Sequence, residues 1–123
     1  MPVFNGSQGI PYTDLRPGDS LALFDGETRA GGDVSTVIAR GESPSGSDQG
    51  ITFQVHFASS PTASLTIKGS NVTPTSAGPQ NGVTLKTVTT QDDSYTDTAR
   101  WAFYWASLDS YSAGDALTVI AQR

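Results

Sequence analysis

The sequence predicts an all-β protein, a single β-sandwich or jelly-roll-like domain of about seven to eight short antiparallel strands. Two observations lead to this prediction. Short stretches in which apolar and polar residues alternate recur along the 123 residues, and turns rich in the 13 glycines and 7 prolines separate them. No window of about ten residues has the periodicity of an amphipathic helix. A chain of this length is most simply one domain.

The most aromatic stretch is residues 100–108, which contains both tryptophans of the chain. Read with period 2, Trp101, Phe103 and Trp105 fall on one side of a strand and Tyr104 on the other. Aromatic residues fit a pleated surface, and each ring buries about 150–250 Å². We therefore expect a strand in the middle of a sheet, with the three rings inward and Tyr104 on the opposite face.

The first part of the chain, residues 1–18, has three prolines and no periodicity. We interpret it as an extended N-terminal arm, followed by the sandwich domain over residues 19–123. Its scattered apolar residues are expected to lie on the sandwich or on another subunit. They are Val3, Phe4, Ile10, Tyr12 and Leu15.

The next strands are predicted at residues 20–24, closed by the turn pair Asp25-Gly26, and at residues 33–40. The clearest alternation is in residues 51–57, where Thr52, Gln54 and His56 point outward. Residues 63–70 alternate again, and we expect them to form a hairpin with 51–57.

Further strands are predicted at residues 83–89, 101–108 and 116–121, with a turn at 91–94 and a final hairpin loop at 110–115. Residues 41–50 and 72–82 are predicted loops. The side chains expected in the core are Phe53, Val55, Phe57, Leu65, Ile67, Trp101, Phe103, Trp105, Leu117 and Val119.

Charge and composition exclude several classes of partner. The net charge is −5 and the 7 Lys and Arg residues are dispersed, so we expect neither nucleic acid nor an anionic membrane as a partner. The chain has 0 cysteines, so it has no disulfide and no thiolate metal site. No apolar run is long enough to span a bilayer, and residues 1–6 do not have the features of a signal peptide.

Catalysis and metal binding find little support in the sequence. The chain has one histidine, His56, and no nucleophile-elbow motif accompanies it. A hydrolase that uses His56 stays open as a minor hypothesis, but we expect no enzyme. Asp92, Asp93 and Asp97 are a candidate calcium site, yet their spacing does not match the calcium-loop pattern. We expect solvated acids there and no cofactor.

Carbohydrate or receptor binding is the alternative to a structural role. Sandwich proteins that bind sugars stack an apolar sugar face on exposed aromatic rings and bind hydroxyl groups with polar neighbours. Tyr95, Tyr104 and Tyr111 are the candidate rings, with Asp109 or Gln122 as polar neighbours.

Two segments carry a resemblance to a known family. Residues 53–67 have the pattern of a hairpin in which an aromatic residue is followed by Ala, small residues, Pro, further small residues and an alternating strand. Residues 112–120 have the pattern of a terminal strand pair. Together with the proline-rich arm, they resemble small capsid decoration (cement) proteins of tailed bacteriophages. The resemblance covers about the last 70 residues, and the family offers no strict motif residues.

The resemblance implies a non-enzymatic β-sandwich, made in the host cytoplasm, that stabilises the virion by binding the outer surface of the capsid. Its partners would be the major capsid protein and other copies of itself, as a homodimer or homotrimer. The predicted contact residues for the capsid or a neighbouring subunit are the apolar residues of the arm, Val3, Phe4, Ile10, Tyr12 and Leu15.

Overall fold

The computed structural model describes residues 12–28, 34–40, 50–58, 63–71, 82–99, 101–111 and 116–123. These residues form nine strands and no helix, which confirms the all-β class. The strands are β1 (Tyr12–Leu15), β2 (Ser20–Thr28), β3 (Val37–Arg40), β4 (Ile51–Phe57), β5 (Ala63–Ser70), β6 (Val83–Val88), β7 (Asp92–Asp97), β8 (Phe103–Tyr111) and β9 (Ala116–Gln122).

The strands form two sheets. One has five strands in the order β1-β3-β8-β5-β6, and the other has four in the order β2-β9-β4-β7. The antiparallel pairs β2–β9, β3–β8, β4–β7 and β5–β6 are nested around the β5–β6 hairpin. The aromatic strand β8 lies in the middle of its sheet, as the sequence predicted.

Three predicted chain reversals are wrong. β4 and β5 lie in different sheets, as do β8 and β9, so neither pair is a hairpin. Asp25-Gly26 does not close a hairpin, because β2 continues through it with an irregular register beside β9. Alternation identifies the inward side chains of a strand but carries no information about which strand lies beside it.

Part of the predicted arm belongs to the sandwich. Tyr12–Leu15 forms β1, which pairs in parallel with β3 at the edge of the five-stranded sheet. Leu15 is only 2% exposed and lies in the main core, so its predicted role as a capsid contact is wrong. Val3, Phe4 and Ile10 lie outside the described residues.

The two sheets pack face to face around one cluster of buried side chains. Its fully buried members come from both sheets, so the arrangement is that of a β-sandwich. Seven of the predicted core residues lie in it: Phe53, Val55, Phe57, Leu65, Ile67, Leu117 and Val119. In β2, a register shift beyond Ala22 lets the consecutive residues Leu23 and Phe24 both reach this core.

The predicted phase of the aromatic strand is wrong. Tyr104, Ala106 and Leu108 face the space between the sheets and belong to the main core, so Tyr104 does not lie on the opposite face. Trp105 is 1% exposed but lies outside that cluster. Its cross-strand partner is Lys68, which places Trp105 on the outer face of the five-stranded sheet.

The other two predicted rings are only partly buried. Phe103 shares the outer phase of β8 and makes an edge-to-face contact with Tyr12, with ring centroids 5.2 Å apart. Trp101 precedes β8 and packs against the margin of the main core. Because the first half of β8 is largely buried on both faces, aromatic rings occupy both of its phases and period 2 cannot decide which one is inward.

The edge strands β6 and β7 lie on the same side of the sandwich, one in each sheet. Lys86 of β6 reaches Asp93 of β7, with 3.4 Å between Nζ and Oδ2. Both side chains are about a third exposed, so solvent screens the pair and it adds little stability. Charged side chains on an edge do, however, oppose pairing with strands of other molecules.

Gly82 offers a test of the outer position of Trp105. A Cβ atom at residue 82 would lie 2.5 Å from Cζ2 of Trp105 and 3.0 Å from the backbone oxygen of Gly69. We predict that Gly82→Ala lowers the free energy of unfolding by about 1–3 kcal/mol, because overpacking forces this contact apart. Urea denaturation measures the change.

The control is the same substitution in a Trp105→Phe background, where the shorter ring leaves room for the methyl group. The cost of Gly82→Ala should then fall well below its value in the parent chain. Equal costs in the two backgrounds would show that residue 82 does not pack on the indole.

Candidate functional site

The two sheets differ in their outer faces. On the five-stranded sheet, Val37, Thr66 and Trp105 lie outside the main core, yet all three are at most 5% exposed. On the four-stranded sheet, the outward residues of β4 are all exposed, as its strict alternation requires. Among the described residues, the centre of the four-stranded sheet is therefore more exposed on its outer face than the centre of the five-stranded sheet.

The strand registers arrange this face as three rows that run across β2, β9, β4 and β7, which we call the outer grid. The first row is Asp25, Thr118, His56 and Asp92. The second row is Ala22, Ile120, Gln54 and Ser94. The third row is Ser20, Gln122, Thr52 and Thr96.

Two cross-strand hydrogen bonds fix side chains within the outer grid. The hydroxyl groups of Thr52 and Thr96 are 2.9 Å apart. In the first row, Nδ1 of His56 and Oδ1 of Asp92 are 2.5 Å apart. A carboxylate that accepts from Nδ1 sets the orientation of the imidazole ring and leaves Nε2 as its second polar atom.

The surroundings of His56 determine what this pair can do. Its side chain is 52% exposed and that of Asp92 is 69% exposed, so bulk water surrounds both. Catalytic bases usually lie in clefts where burial and fixed charges tune their pKa values. Among the described residues, the outer grid carries two open depressions, one at Gln54, Asp92 and Ser94 and another at Thr52 and Thr96. This geometry suits contact with a surface better than enclosure of a substrate.

Asp97 supports the outer grid from behind. It lies on the inner phase of β7, is 3% exposed, and accepts hydrogen bonds from two tyrosines. The hydroxyl of Tyr95 is 2.9 Å from Oδ1, and that of Tyr104 is 2.6 Å from Oδ2. The backbone N–H of Trp101 donates in turn to the Tyr104 hydroxyl at 3.0 Å. Since Tyr104 belongs to β8, these bonds join the edge strand of one sheet to the centre of the other.

The environment of Asp97 changes the acidity of Tyr95. Burial raises the pKa of the Tyr95 hydroxyl above its usual value, and its hydrogen bond to Asp97 and repulsion from the Asp97 carboxylate raise the pKa further. All three effects favour the protonated phenol, which is the form that donates to Asp97.

The candidate calcium ligands are separated in the structure. Asp92 lies in the outer grid beside His56, Asp93 pairs with Lys86, and Asp97 is enclosed by tyrosines. Among the residues described, no group of three His, Cys, Asp or Glu side chains is placed to hold a metal ion.

The candidate sugar-binding residues do not converge either. Tyr104 is fully buried, and the Tyr95 hydroxyl is bonded to Asp97. Asp109 lies in β8 of the five-stranded sheet, where its carboxylate accepts hydrogen bonds from Thr66 and Ser107. The candidate polar neighbour Gln122 lies in the outer grid. The side chain of Tyr111 lies outside the described part of the structure.

Sequence reasoning found only part of the outer grid. The alternation of β4 predicts that Thr52, Gln54 and His56 point outward, but the turn predicted at residues 91–94 is wrong, because β7 begins at Asp92. Asp25 and Thr118 carry no local signal that they share a row with His56, because only the pairing of β2, β9 and β4 brings them together.

No family model, no curated protein and no solved structure matches the chain. The described residues include no helix long and apolar enough to cross a membrane. The resemblance to capsid decoration proteins stays a prediction from the sequence, and the function proposed below rests on the fold and on the outer grid.

We predict that Tyr104→Phe lowers the free energy of unfolding by about 1.5–3 kcal/mol, because a buried carboxyl group loses a hydrogen-bond donor. Tyr95→Phe is the matched variant, since it removes the other donor to Asp97 at a less buried position. It should cost less. Urea denaturation measures both, and a larger loss for Tyr95→Phe would contradict the assignment of Tyr104 as the principal donor.

The raised pKa of Tyr95 predicts a stability change at alkaline pH. Its folded-state pKa exceeds the unfolded value of about 10, so the folded state binds more protons above that pH and stability falls as pH rises. Tyr95→Phe removes this contribution. Between about pH 9 and 11, the variant should lose less stability than the parent chain. Parallel slopes of unfolding free energy against pH would contradict this prediction.

Proposed function

We propose that this protein is a non-enzymatic capsid decoration protein, a jelly-roll domain that binds the outer surface of a tailed-phage shell and stabilises it. In this proposal the protein is part of the virion and contacts the major capsid protein and further copies of itself. The single observation that supports the proposal most is the order of the strands.

Without β1, the strand orders are β2-β9-β4-β7 and β3-β8-β5-β6. These eight strands form four nested antiparallel pairs, as expected when one long hairpin is rolled into two facing sheets. That pattern supports a jelly-roll arrangement, an architecture that recurs in viral capsid proteins and in lectins. The fold therefore supports both the structural proposal and the carbohydrate-binding alternative.

The side chains favour the structural role over sugar binding. Sugar recognition on a sandwich uses an exposed aromatic ring, and of the two candidate rings whose side chains are described, Tyr104 is buried and Tyr95 is turned toward Asp97. None of the twelve positions of the outer grid is Phe, Tyr or Trp. A flat polar surface of this kind matches a protein partner, which contacts side chains over a broad area.

The non-enzymatic part of the proposal is supported by the setting of His56. Its pair with Asp92 lies on an open face with both side chains more than half exposed. No buried nucleophile adjoins the pair among the residues described, and the neighbouring residues of the row are Thr118 and Asp25. Water at such a surface weakens the electrostatic effects on which catalysis depends.

The arm begins at a fixed point in the fold. β1 is held against β3, and the Arg123 guanidinium donates from Nη1 to the backbone oxygen of Leu15 at 2.6 Å. The backbone N–H of Gly18 donates to the Arg123 oxygen at 3.1 Å. From this anchored edge, the preceding eleven residues would reach about 35 Å when extended, enough to contact a neighbouring subunit.

Repetition would compensate for a weak single contact. A decoration protein meets many identical sites on a shell, and a dimer or trimer that engages two or three of them gains avidity without any new contact. Because avidity adds affinity in this way, we include self-association in the proposed function, and no single interface of the chain needs to be strong.

The test uses shells assembled from the major capsid protein of the phage that encodes the chain. We expect the full-length protein to co-sediment with these shells and to raise their thermal stability. The triple variant Val3→Ser, Phe4→Ser, Ile10→Ser should fold normally and bind at least about tenfold more weakly, because it removes apolar side chains from the arm.

The matched control is Asn5→Ala, Ser7→Ala, Gln8→Ala, which changes the same segment without removing apolar groups. It should bind as the parent chain does. Absence of binding by the parent chain would sink the proposal, and unchanged binding by the serine variant would remove the arm from it.

A further inference from the structure

We propose that the outer grid is the docking surface for the shell, and that its partner is a flat protein surface that carries arginine or lysine side chains. The inference rests on the function proposed above and identifies the surface and the chemistry of the contact. Three properties of the outer grid support it: its accessibility, the short side chains that line it, and its charge.

Accessibility distinguishes the two broad faces of the sandwich. The described residues on the outer phase of the five-stranded sheet include Val37, Ala39 and Trp105, which are at most 8% exposed. A partner cannot reach these side chains without displacing whatever covers them. Thr52, Gln54 and His56 of the outer grid are exposed, so a partner meets them directly.

The side chains of the outer grid would lose little entropy on binding. None of its twelve positions is Lys, Arg or Glu, although residues of these types are common on surfaces. Immobilising a long side chain at an interface costs about 0.5–1.5 kcal/mol, and here only Gln54 and Gln122 are long and flexible. The Thr52–Thr96 and His56–Asp92 contacts already hold four further side chains in place. The surface is therefore ordered before a partner arrives.

The charge of the outer grid is negative. Asp25 on β2 and Asp92 on β7 stand at opposite ends of the first row, about 14 Å apart by strand spacing. No lysine or arginine lies in the grid to neutralise them. Nδ1 of His56 is hydrogen-bonded to Oδ1 of Asp92, but a carboxylate has lone pairs for further donors. An arginine or lysine of the partner near either end of the row would form a complementary ion pair.

The size of the outer grid explains why the arm would still be needed. Four strands and three rows cover about 400 Å², roughly half of what one partner buries in an interface of standard size. Docking through this face alone would be weak. An arm that contacts a neighbouring subunit, or a second copy bound beside the first, would supply the remaining affinity.

The test places lysine in the outer grid and measures binding to the assembled shells described above. Asp25→Lys and Gln54→Lys should each bind at least about tenfold more weakly, because each sets a cation against a basic partner. Asp14→Lys on β1 and Thr87→Lys on β6 are the matched controls, with the same changes in charge at exposed positions outside the grid. They should bind within about twofold of the parent chain. Equal thermal unfolding of all four variants excludes misfolding as the cause.

The outcomes separate this inference from the function on which it rests. If the parent chain binds shells and the four variants bind equally well, the docking face is wrong while the decoration function stands. If the parent chain binds no shell, both are wrong. If Asp25→Lys and Gln54→Lys instead dissociate a homodimer or homotrimer in sizing experiments, the outer grid contacts a second copy and the basic partner is refuted.

Discussion

A central strand that is buried on both of its faces is the constraint on which the rest of the structure depends. One phase of β8 places Tyr104, Ala106 and Leu108 in the core between the sheets. The other phase places Trp105 beneath Gly82 on the outer side of the five-stranded sheet. Each indole or phenol ring buries a large apolar area, so β8 stabilises two separate interiors at once. The centre of the five-stranded sheet, around Val37 and Trp105, is therefore covered on both sides.

This asymmetry leaves the outer face of the four-stranded sheet exposed, and β8 stabilises that sheet too. Tyr104 donates from the centre of one sheet to Asp97 on the edge strand of the other. Because Asp97 is buried and Thr96 beside it points outward, β7 is anchored on its inner face and exposed on its outer face. The positions of the three outer-grid residues on β7, Asp92, Ser94 and Thr96, thus depend on a hydrogen bond made inside the core. Stability and the geometry of the exposed face are linked through one residue pair.

The proposed function follows from how this face differs from a catalytic or sugar-binding site. It is flat and polar, its side chains are mostly short, and its pair of ionisable groups is open to water. Such a surface binds another surface with low ordering cost but modest affinity. In the proposed function, a shell that repeats the same site, together with the residues that precede β1, would provide the multiplicity that a modest contact requires.

The sequence by itself determined the all-β class, most strand positions, and the inward residues of strands buried on one face, such as Phe53 and Val55 of β4. Local alternation is enough for these, because period 2 reports which side chains leave water. The tertiary structure alone decided the phase of β8, the burial of Leu15 and the rows of the outer grid. When a strand is buried on both faces, the alternation of polar and apolar residues does not show which phase faces the core between the sheets. A row that joins Asp25 to Asp92 depends on pairings between strands far apart in the chain, which no local pattern encodes.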